Sequence, residues 1–302
     1  MRPMDAVVAM DLGGTKLTSA VVNAAGRILY RNKVPAERGG VQTCIEQLTG
    51  AVHGAISASG LRPAQIGALG VIVPGIYFAH EGEVWAPNLW GHERVPLRAE
   101  LERRLSLPVV IDSDRAGSVL GEQWLGVARG LEDVVFLAIG TGIGAGIIAG
   151  GRLLRGSGDI AGAVGWFALN SQQQEIYKQV GCWEAESAGP ALARRMSVGS
   201  AVEVVAAARN GHALARNAVQ ESARYLGMGI ANIVSILNPQ LVVLGGGLMQ
   251  ASDLFLDTVS RVMQEWAQPI AAQQVRIEVT SLGDDAGLLG AACLALRNAS
   301  VS

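Results

Sequence analysis

Two glycine-rich loops, far apart in the chain and each fed by an apolar strand-like run, constrain this sequence more than any other feature. The first, Asp11-Leu12-Gly13-Gly14-Thr15-Lys16, follows Val7-Val8-Ala9-Met10. The second, Gly140-Thr141-Gly142-Ile143-Gly144-Ala145-Gly146, follows the run Val134–Ile139. Glycine has no Cβ, so backbone N–H groups can come close to an anion, and successive N–H groups form a concave nest that suits phosphate. One such loop alone could simply shape a tight hairpin. Two of them, each with a Thr hydroxyl and the first with an acid, point to a polyphosphate held between two halves of one protein.

The rest of the pattern is organised around these loops. Val7–Met10, Leu17–Val22 and Arg27–Tyr30 are short strand candidates, close enough for an antiparallel meander. Helical spacing over Thr43–Ser59 leads to the strand Ala68–Val73 and to Pro74-Gly75. A charged helix over Leu97–Leu105 precedes the strand Pro108–Ile111, and Asp112-Ser113-Asp114 opens a helix over Arg115–Leu125. The order then restarts with Val134–Ile139, the second glycine loop and a strand over Gly146–Ala149. Val219, Ala223, Leu226, Ile230, Ile233 and Leu237 mark a long helix stopping at Asn238-Pro239. Leu241–Leu244 reads as a strand covered on both faces, and it opens into Gly245-Gly246-Gly247. Two related α/β units result, with no short-period repeat.

With 302 residues, half of them apolar, the chain can fill two cores. Its 24 basic and 26 acidic side chains leave a net charge of −2, which recruits neither nucleic acid nor an anionic membrane. Three scattered cysteines, Cys44, Cys182 and Cys293, fit reduced thiols in a cytoplasmic protein better than a disulfide framework. Met1-Arg2-Pro3-Met4-Asp5 reaches an acid before any long apolar stretch, unlike a signal peptide. Asn298-Ala299-Ser300 matches a glycosylation acceptor only by chance in that compartment. Val134–Gly151 runs 18 residues without a charge, the length of a membrane span, but its six glycines divide it into two strand-sized pieces. The commoner phosphate motifs are absent. Gly14-Thr15-Lys16 lacks the Walker spacing, and Gly140, Gly142, Gly144 and Gly146 fall at every second position, unlike G-x-G-x-x-G.

Asp11–Lys16, Val73-Pro74-Gly75, Asn88-Leu89-Trp90, the stretch from Ser113-Asp114 to Gly121-Glu122, Ile139–Gly146, Gly181-Cys182-Trp183-Glu184 and Leu244–Gly247 occur in a known order. From about Val7 to Leu296 the chain resembles the ROK family of sugar kinases. That family holds bacterial glucokinases, N-acetylglucosamine and N-acetylmannosamine kinases, and sugar-responsive repressors. The resemblance implies the actin-like, ribonuclease-H-like ATPase fold, two α/β lobes around a cleft, a homodimer, and the use of ATP and magnesium. It implies an N-terminal lobe over residues 1–115, a C-terminal lobe over 116–283, and a helix over about 284–298 packed back on the first lobe.

By the same resemblance Gly13, Gly14, Thr15 and Lys16 form the first phosphate loop, with Asp11 near magnesium. Thr141, Gly142 and Gly144 form the second, and Gly245, Gly246 and Gly247 the loop on the adenosine side. Gly75, Asn88, Ser113, Asp114, Ala163, Trp166 and Glu184 fall at sugar-binding positions, and Asp114 aligns with the catalytic aspartate. On chemistry alone Asp112 competes with Asp114. Alternation puts both on one face at the carboxyl end of a strand, where a base for phosphoryl transfer belongs. Asp114 could also cap the helix that follows it.

The chain departs from the family on the sugar side. One His and three Cys that hold zinc become Trp166, Glu175, Tyr177 and Cys182, and one ligand of four cannot hold a structural zinc. No zinc is therefore expected, and Trp166 is expected either to fill the vacated space or to pack on substrate. Ala163 and Trp166 replace the Glu and His that address hydroxyls at the first two sugar carbons. Ser113 and Ala116 replace two Asn. Intact phosphate loops beside a rebuilt sugar side imply a kinase for a hexose or modified hexose, acting at the sixth carbon with Asp114 as base. Glucose itself should be a poor substrate. The alternative is a non-catalytic, sugar-binding regulator. The family's repressors carry an N-terminal helix-turn-helix, for which a first strand near Val7 leaves no room.

Overall fold

The computed structural model describes residues 6–299, so Met1-Arg2-Pro3-Met4-Asp5 and Ser300 of the Asn298 triplet lie outside the described residues. The chain forms two compact units. One holds residues 6–130, 155–160 and 284–299; the other holds 131–154 and 161–283.

In the first unit β1 (Ala6–Leu12) is a nearly continuous apolar run, and β2 (Lys16–Asn23) is buried on both faces from Leu17 to Val22 with Thr18 and Ser19 included, so both take interior places in a sheet. β3 (Ile28–Pro35) pairs outside β2 and carries Arg31 and Lys33 on an exposed edge, where charge discourages further pairing. β4 (Ile66–Val73) lies parallel to β1 on its other side. Three short strands, β5 (Ile76–Phe78), β6 (Glu83–Trp85) and β7 (Arg94–Val95), then form a separate antiparallel sheet. β8 (Val109–Ser113) returns parallel beside β4, giving the order β3-β2-β1-β4-β8. Asp11, Ile72 and Asp112 stand in register across the carboxyl ends of β1, β4 and β8, the end at which such sheets bind ligands.

The helix Asp114–Leu125 leaves β8 and crosses the C-terminal helix Asp285–Ala299 at a distance only glycine allows. A Cβ on Gly121 would stand 2.1 Å from the Ala286 carbonyl oxygen, and one on Gly290 would stand 1.7 Å from that of Gly117. This crossing keeps the whole of helix Asp114–Leu125 in the first unit. The unit therefore extends to Gly130, beyond the expected lobe boundary at 115/116.

The second unit repeats the sheet. β9 (Val134–Ile139), β10 (Ile143–Ala149), β11 (Arg152–Leu153), β12 (Leu241–Gly245) and β13 (Arg276–Val279) stand in the order β11-β10-β9-β12-β13. The first three are antiparallel and the last two join in parallel, as in the first unit. β10 starts at Ile143, ahead of the expected Gly146, because Gly144 already pairs opposite Ala138. Gly144 thus belongs to a strand and not to the loop. The long helix runs Ala213–Leu237, and Val219, Ala223, Leu226, Ile230 and Ile233 share a core with Val135, Leu137, Val242 and Leu244. It stops where Asn238 turns left-handed, with φ 45°, ahead of Pro239. No described helix is long and apolar enough to cross a membrane.

Candidate active site

In the first unit the β1–β2 turn carries Gly13, Gly14, Thr15 and Lys16. The Gly13 N–H donates to the Lys16 carbonyl at 2.8 Å, which closes a tight hairpin. A Cβ on Gly14 would meet no protein atom within 4 Å, so packing does not demand that glycine. Thr15 and Lys16 are exposed. The Asp11 carboxyl is pushed up to about 7, first by burial and next by Asp114; Asp284 adds to the rise, while Lys33 and Arg31 oppose it.

β8 delivers Asp112 and Asp114 two residues apart, and their partners divide them. Asp112 is 5% exposed; its Oδ1 accepts the Ser113 N–H at 2.8 Å, and its Oδ2 accepts from Arg155 in an ion pair. Asp114 is the first residue of its helix, but the cap is Ser113, whose Oγ accepts the Ala116 N–H at 3.3 Å. The capping role considered for Asp114 therefore belongs to Ser113. The Asp114 side chain is 50% exposed, with the Arg115 guanidinium 4.0 Å from its Oδ1 and the Arg115 N–H donating to that oxygen at 2.8 Å. Water reaches the carboxylate, yet surrounding protein strips enough of its hydration to push its carboxyl up, against the pull of Arg115. Arg115 also donates to the Gly75 carbonyl at 3.4 Å. Gly75 has φ 100°, and a Cβ there would stand 2.2 Å from the Trp85 carbonyl oxygen, so the fold itself requires this glycine. Asn88 is exposed on the short helix Pro87–Trp90.

In the second unit the β9–β10 turn carries Gly140, Thr141 and Gly142. The Gly140 N–H donates to the Gly142 carbonyl at 3.0 Å, and the Gly140 carbonyl accepts the Gly189 N–H at 2.8 Å. Glu184, on the helix Cys182–Ser187, grips the same turn: its Oε2 accepts the Ile143 N–H at 2.8 Å. A Cβ on Gly142 would lie 2.7 Å from that oxygen, so Gly142 makes room for the carboxylate. Burial pushes the Glu184 carboxyl up and the Ile143 N–H partly offsets it. A cavity of about 820 Å³ opens at the turn, lined by Gly140, Thr141, Gly189 and Gly247 and by the apolar Val198, Val202, Val205 and Leu248. Its size and lining suit a nucleoside. The glycines after β12 are not equivalent. Gly245 packs against the Phe136 ring, and Gly246, at φ 89°, would drive a Cβ into the Ile139 backbone; only Gly247 faces open space.

Trp166 ends the one-turn helix Val164–Trp166, directly after Ala163, and is 57% exposed. This corrects the expectation that it could fill a vacated metal site, for it fills no internal space. Other residues close that region. Tyr177, Cys182 and Ala185 are buried together, with Leu169, Ile176 and Val180 around them. The Tyr177 hydroxyl donates to Glu186 Oε1 and accepts from Asn170 Nδ2 at 3.1 Å, while Arg195 pairs with Glu186 Oε2 at 2.8 Å. Glu175 points outward and pairs with Lys178. Asn170, Glu186, Arg195, Arg155 and Arg115 carried no motif; their partners lie elsewhere in the fold or, for Arg115, in a backbone turn that the sequence does not show.

The ROK family model matches residues 7–298. A glucokinase of Streptomyces coelicolor is 31% identical over 324 residues, covering 97% of this chain and 98% of the relative. Among solved structures, a ROK hexokinase from Thermus thermophilus superposes with a TM-score of 0.85 at 32% identity, covering 98% of this chain and 100% of that one. A ROK family glucokinase from Streptomyces griseus, in complex with glucose and AMPPNP, superposes with a TM-score of 0.78 at 29% identity, covering 97% and 99% of the two chains. The paired five-stranded sheets are those of the actin-like, ribonuclease-H-like ATPase fold.

Proposed function

Because this chain belongs to the ROK family, we propose that it is a kinase that moves the terminal phosphoryl group of ATP to the sixth-carbon hydroxyl of a hexose or modified hexose. Asp114 is the general base in this reading. It takes the hydroxyl proton as the oxygen bonds to the γ-phosphorus; the bond from that phosphorus to the bridging oxygen breaks, and ADP leaves. The observation that carries this reading is the division between two neighbouring carboxylates. Asp112 is spent on Arg155, whereas Asp114 is half exposed at the tip of a helix.

The remaining roles follow from chemistry. Gly13, Gly14 and Thr15 offer N–H and hydroxyl donors to phosphate, as do Thr141 and Gly142, and Lys16 adds a cation. The cavity beside Gly247 takes the nucleoside. Glu184 has one oxygen engaged by Ile143 and can accept a sugar hydroxyl with the other. Magnesium carried by the nucleotide fits near Asp11, whose proton is held to about pH 7 in the free protein and would yield to a nearby cation. Bound there, that ion would supply charge neutralisation to the phosphates.

The test is ADP release measured across glucose, N-acetylated hexosamines, anhydro-sugars and deoxy-sugars, with a sugar-free control. Sugar-dependent ADP formation is the expected result. If no sugar raises ADP above the control while sugars still bind, the protein is a sensor and the kinase reading fails.

A further inference from the structure

We propose that Arg155 is a positioning residue for Asp114, acting through Asp112, and that residues 155–160 form a strap fastened over the carboxyl end of the first sheet. The proposal rests on the kinase reading and deepens it.

Residues 155–160 belong to the first unit, although the chain on either side of them belongs to the second. Two side chains fasten this stretch. At one end Arg155 pairs with Asp112 at the end of β8. At the other, Asp159 accepts the Ala79 N–H at 3.0 Å, directly after β5. Gly156, Ser157 and Gly158 lie between the anchors, and all three are exposed. A glycine-rich stretch has no conformational preference strong enough to hold it there, so the anchors set its course.

The ion pair acts on the base through a short relay. Asp112 is 5% exposed, and a carboxylate so buried keeps its charge only while paired. Burial pushes its carboxyl up, and the Arg155 charge is the foremost opposing influence. The Nε of Arg155 is buried without a hydrogen-bond partner among the described residues, and Asp112 engages the guanidinium at Nη2. The other Asp112 oxygen holds the Ser113 N–H, and the Ser113 hydroxyl caps the helix on which Asp114 is the first residue. Each bond fixes the chain where β8 becomes that helix. Without Arg155, Asp112 must take up a proton or swing toward water, and the junction loosens under the base. The glycine turns at Gly13 and Gly140 have their own hydrogen bonds and do not depend on this relay.

The competing account is that the pair only stabilises the fold. Steady-state kinetics of the full chain, with the best sugar from the panel, separates the two. We expect Arg155→Gln and Asp112→Asn each to lower kcat by about tenfold to a hundredfold, since misplacing a reacting group by an ångström has that effect. KM for ATP should stay within about twofold, the pattern of an interaction made in the transition state. Arg155→Lys should fall between wild type and Arg155→Gln. The double variant should be no slower than the slower single one, because both act along one path. A lower melting temperature with unchanged kcat overturns the proposal, as do independent, multiplying losses in the double variant. If Arg155→Gln does not fold, Asp159→Ala decides: reduced kcat at unchanged KM for ATP supports the strap, and unchanged kcat overturns it. A wild-type chain inactive on every sugar would instead defeat the kinase reading. Full activity in Arg155→Gln beside an inactive Asp114→Asn defeats only this inference.

Discussion

At the scale of single residues, meaning comes from partners that the sequence does not show. Asp112 and Asp114 look interchangeable in the chain, and the residue that separates them, Arg155, stands 43 positions away from Asp112. Once Asp112 is paired, Asp114 is the carboxylate left to accept a proton. Asp114→Asn should lower kcat by about a hundredfold to ten-thousandfold, the usual contribution of a general base, with its melting temperature close to wild type. A folded variant within a few-fold of wild-type turnover would remove Asp114 from that role. Asp11 carries a separate consequence for stability. Its carboxyl keeps its proton to about pH 7 in the folded protein, whereas an unfolded chain releases it near pH 4. Between these values the folded state binds the Asp11 proton and the unfolded chain does not, so the contribution of Asp11 to stability falls as pH rises and is least favourable above pH 7. Asp11→Asn keeps the shape and removes the charge. It should gain about 1–3 kcal/mol over wild type at pH 8 and almost nothing at pH 4, while losing phosphorylation. Urea denaturation at both pH values checks this, and equal differences at the two would mean that Asp11 ionises normally.

At the scale of elements, what was legible in the sequence is what has a period long enough to repeat. Leu97–Leu105 was readable to both ends, and the long helix is marked by its apolar stripe although its start at Ala213 is not. The small sheet β5–β7, with β11 and β13, escaped because strands of two to four residues contain too little alternation to stand out. Glycines were found but not sorted, because their reasons lie in neighbours. Gly246 is fixed by φ 89° and the Ile139 backbone, whereas Gly247 borders the cavity with open space around it. Gly246→Ala should lose about 1–3 kcal/mol or more of stability, the cost of a side chain in a glycine-only conformation. Gly247→Ala should keep the wild-type melting temperature and raise KM for ATP, because the new methyl group enters the space assigned to the nucleoside. A comparable loss of melting temperature in both variants would erase the distinction. Where the resemblance would put a zinc site, Tyr177 and Arg195 instead bracket the Glu186 carboxylate. Elemental analysis should accordingly find no stoichiometric zinc; close to one zinc per chain would contradict that account.

At the scale of the whole molecule, the proposed reading gives one fold an intact phosphate side and a rebuilt sugar side. The duplication was legible because strand, glycine turn and strand recur, and the two sheets share one strand order. The proposed sugar side was legible only as a set of departures, and the exposure of Trp166 leaves its indole open to a ligand. Ala163 offers no side-chain hydrogen bond, and Trp166 presents an indole that is 57% exposed three residues on. A hydroxyl brought against the Ala163 methyl or the face of the indole loses water and gains no partner there, which costs about 1–3 kcal/mol. A site built to bond hydroxyls would have the opposite preference and reject sugars that lack them. An acetylated, anhydro or deoxy face laid on the indole gains roughly 25 cal/mol for each Å² of apolar surface removed from water. Glucose should therefore be a poor substrate, with kcat/KM at least about tenfold below that of a hexose modified near its first two carbons, a gap of about 1.4 kcal/mol. Trp166→Ala should narrow that gap by slowing the modified sugar more than glucose, without touching KM for ATP. Measuring kcat/KM across the panel for both proteins decides the matter. Unmodified glucose as the best substrate by tenfold, or a Trp166→Ala variant with an unchanged ratio, would place the indole outside the sugar site.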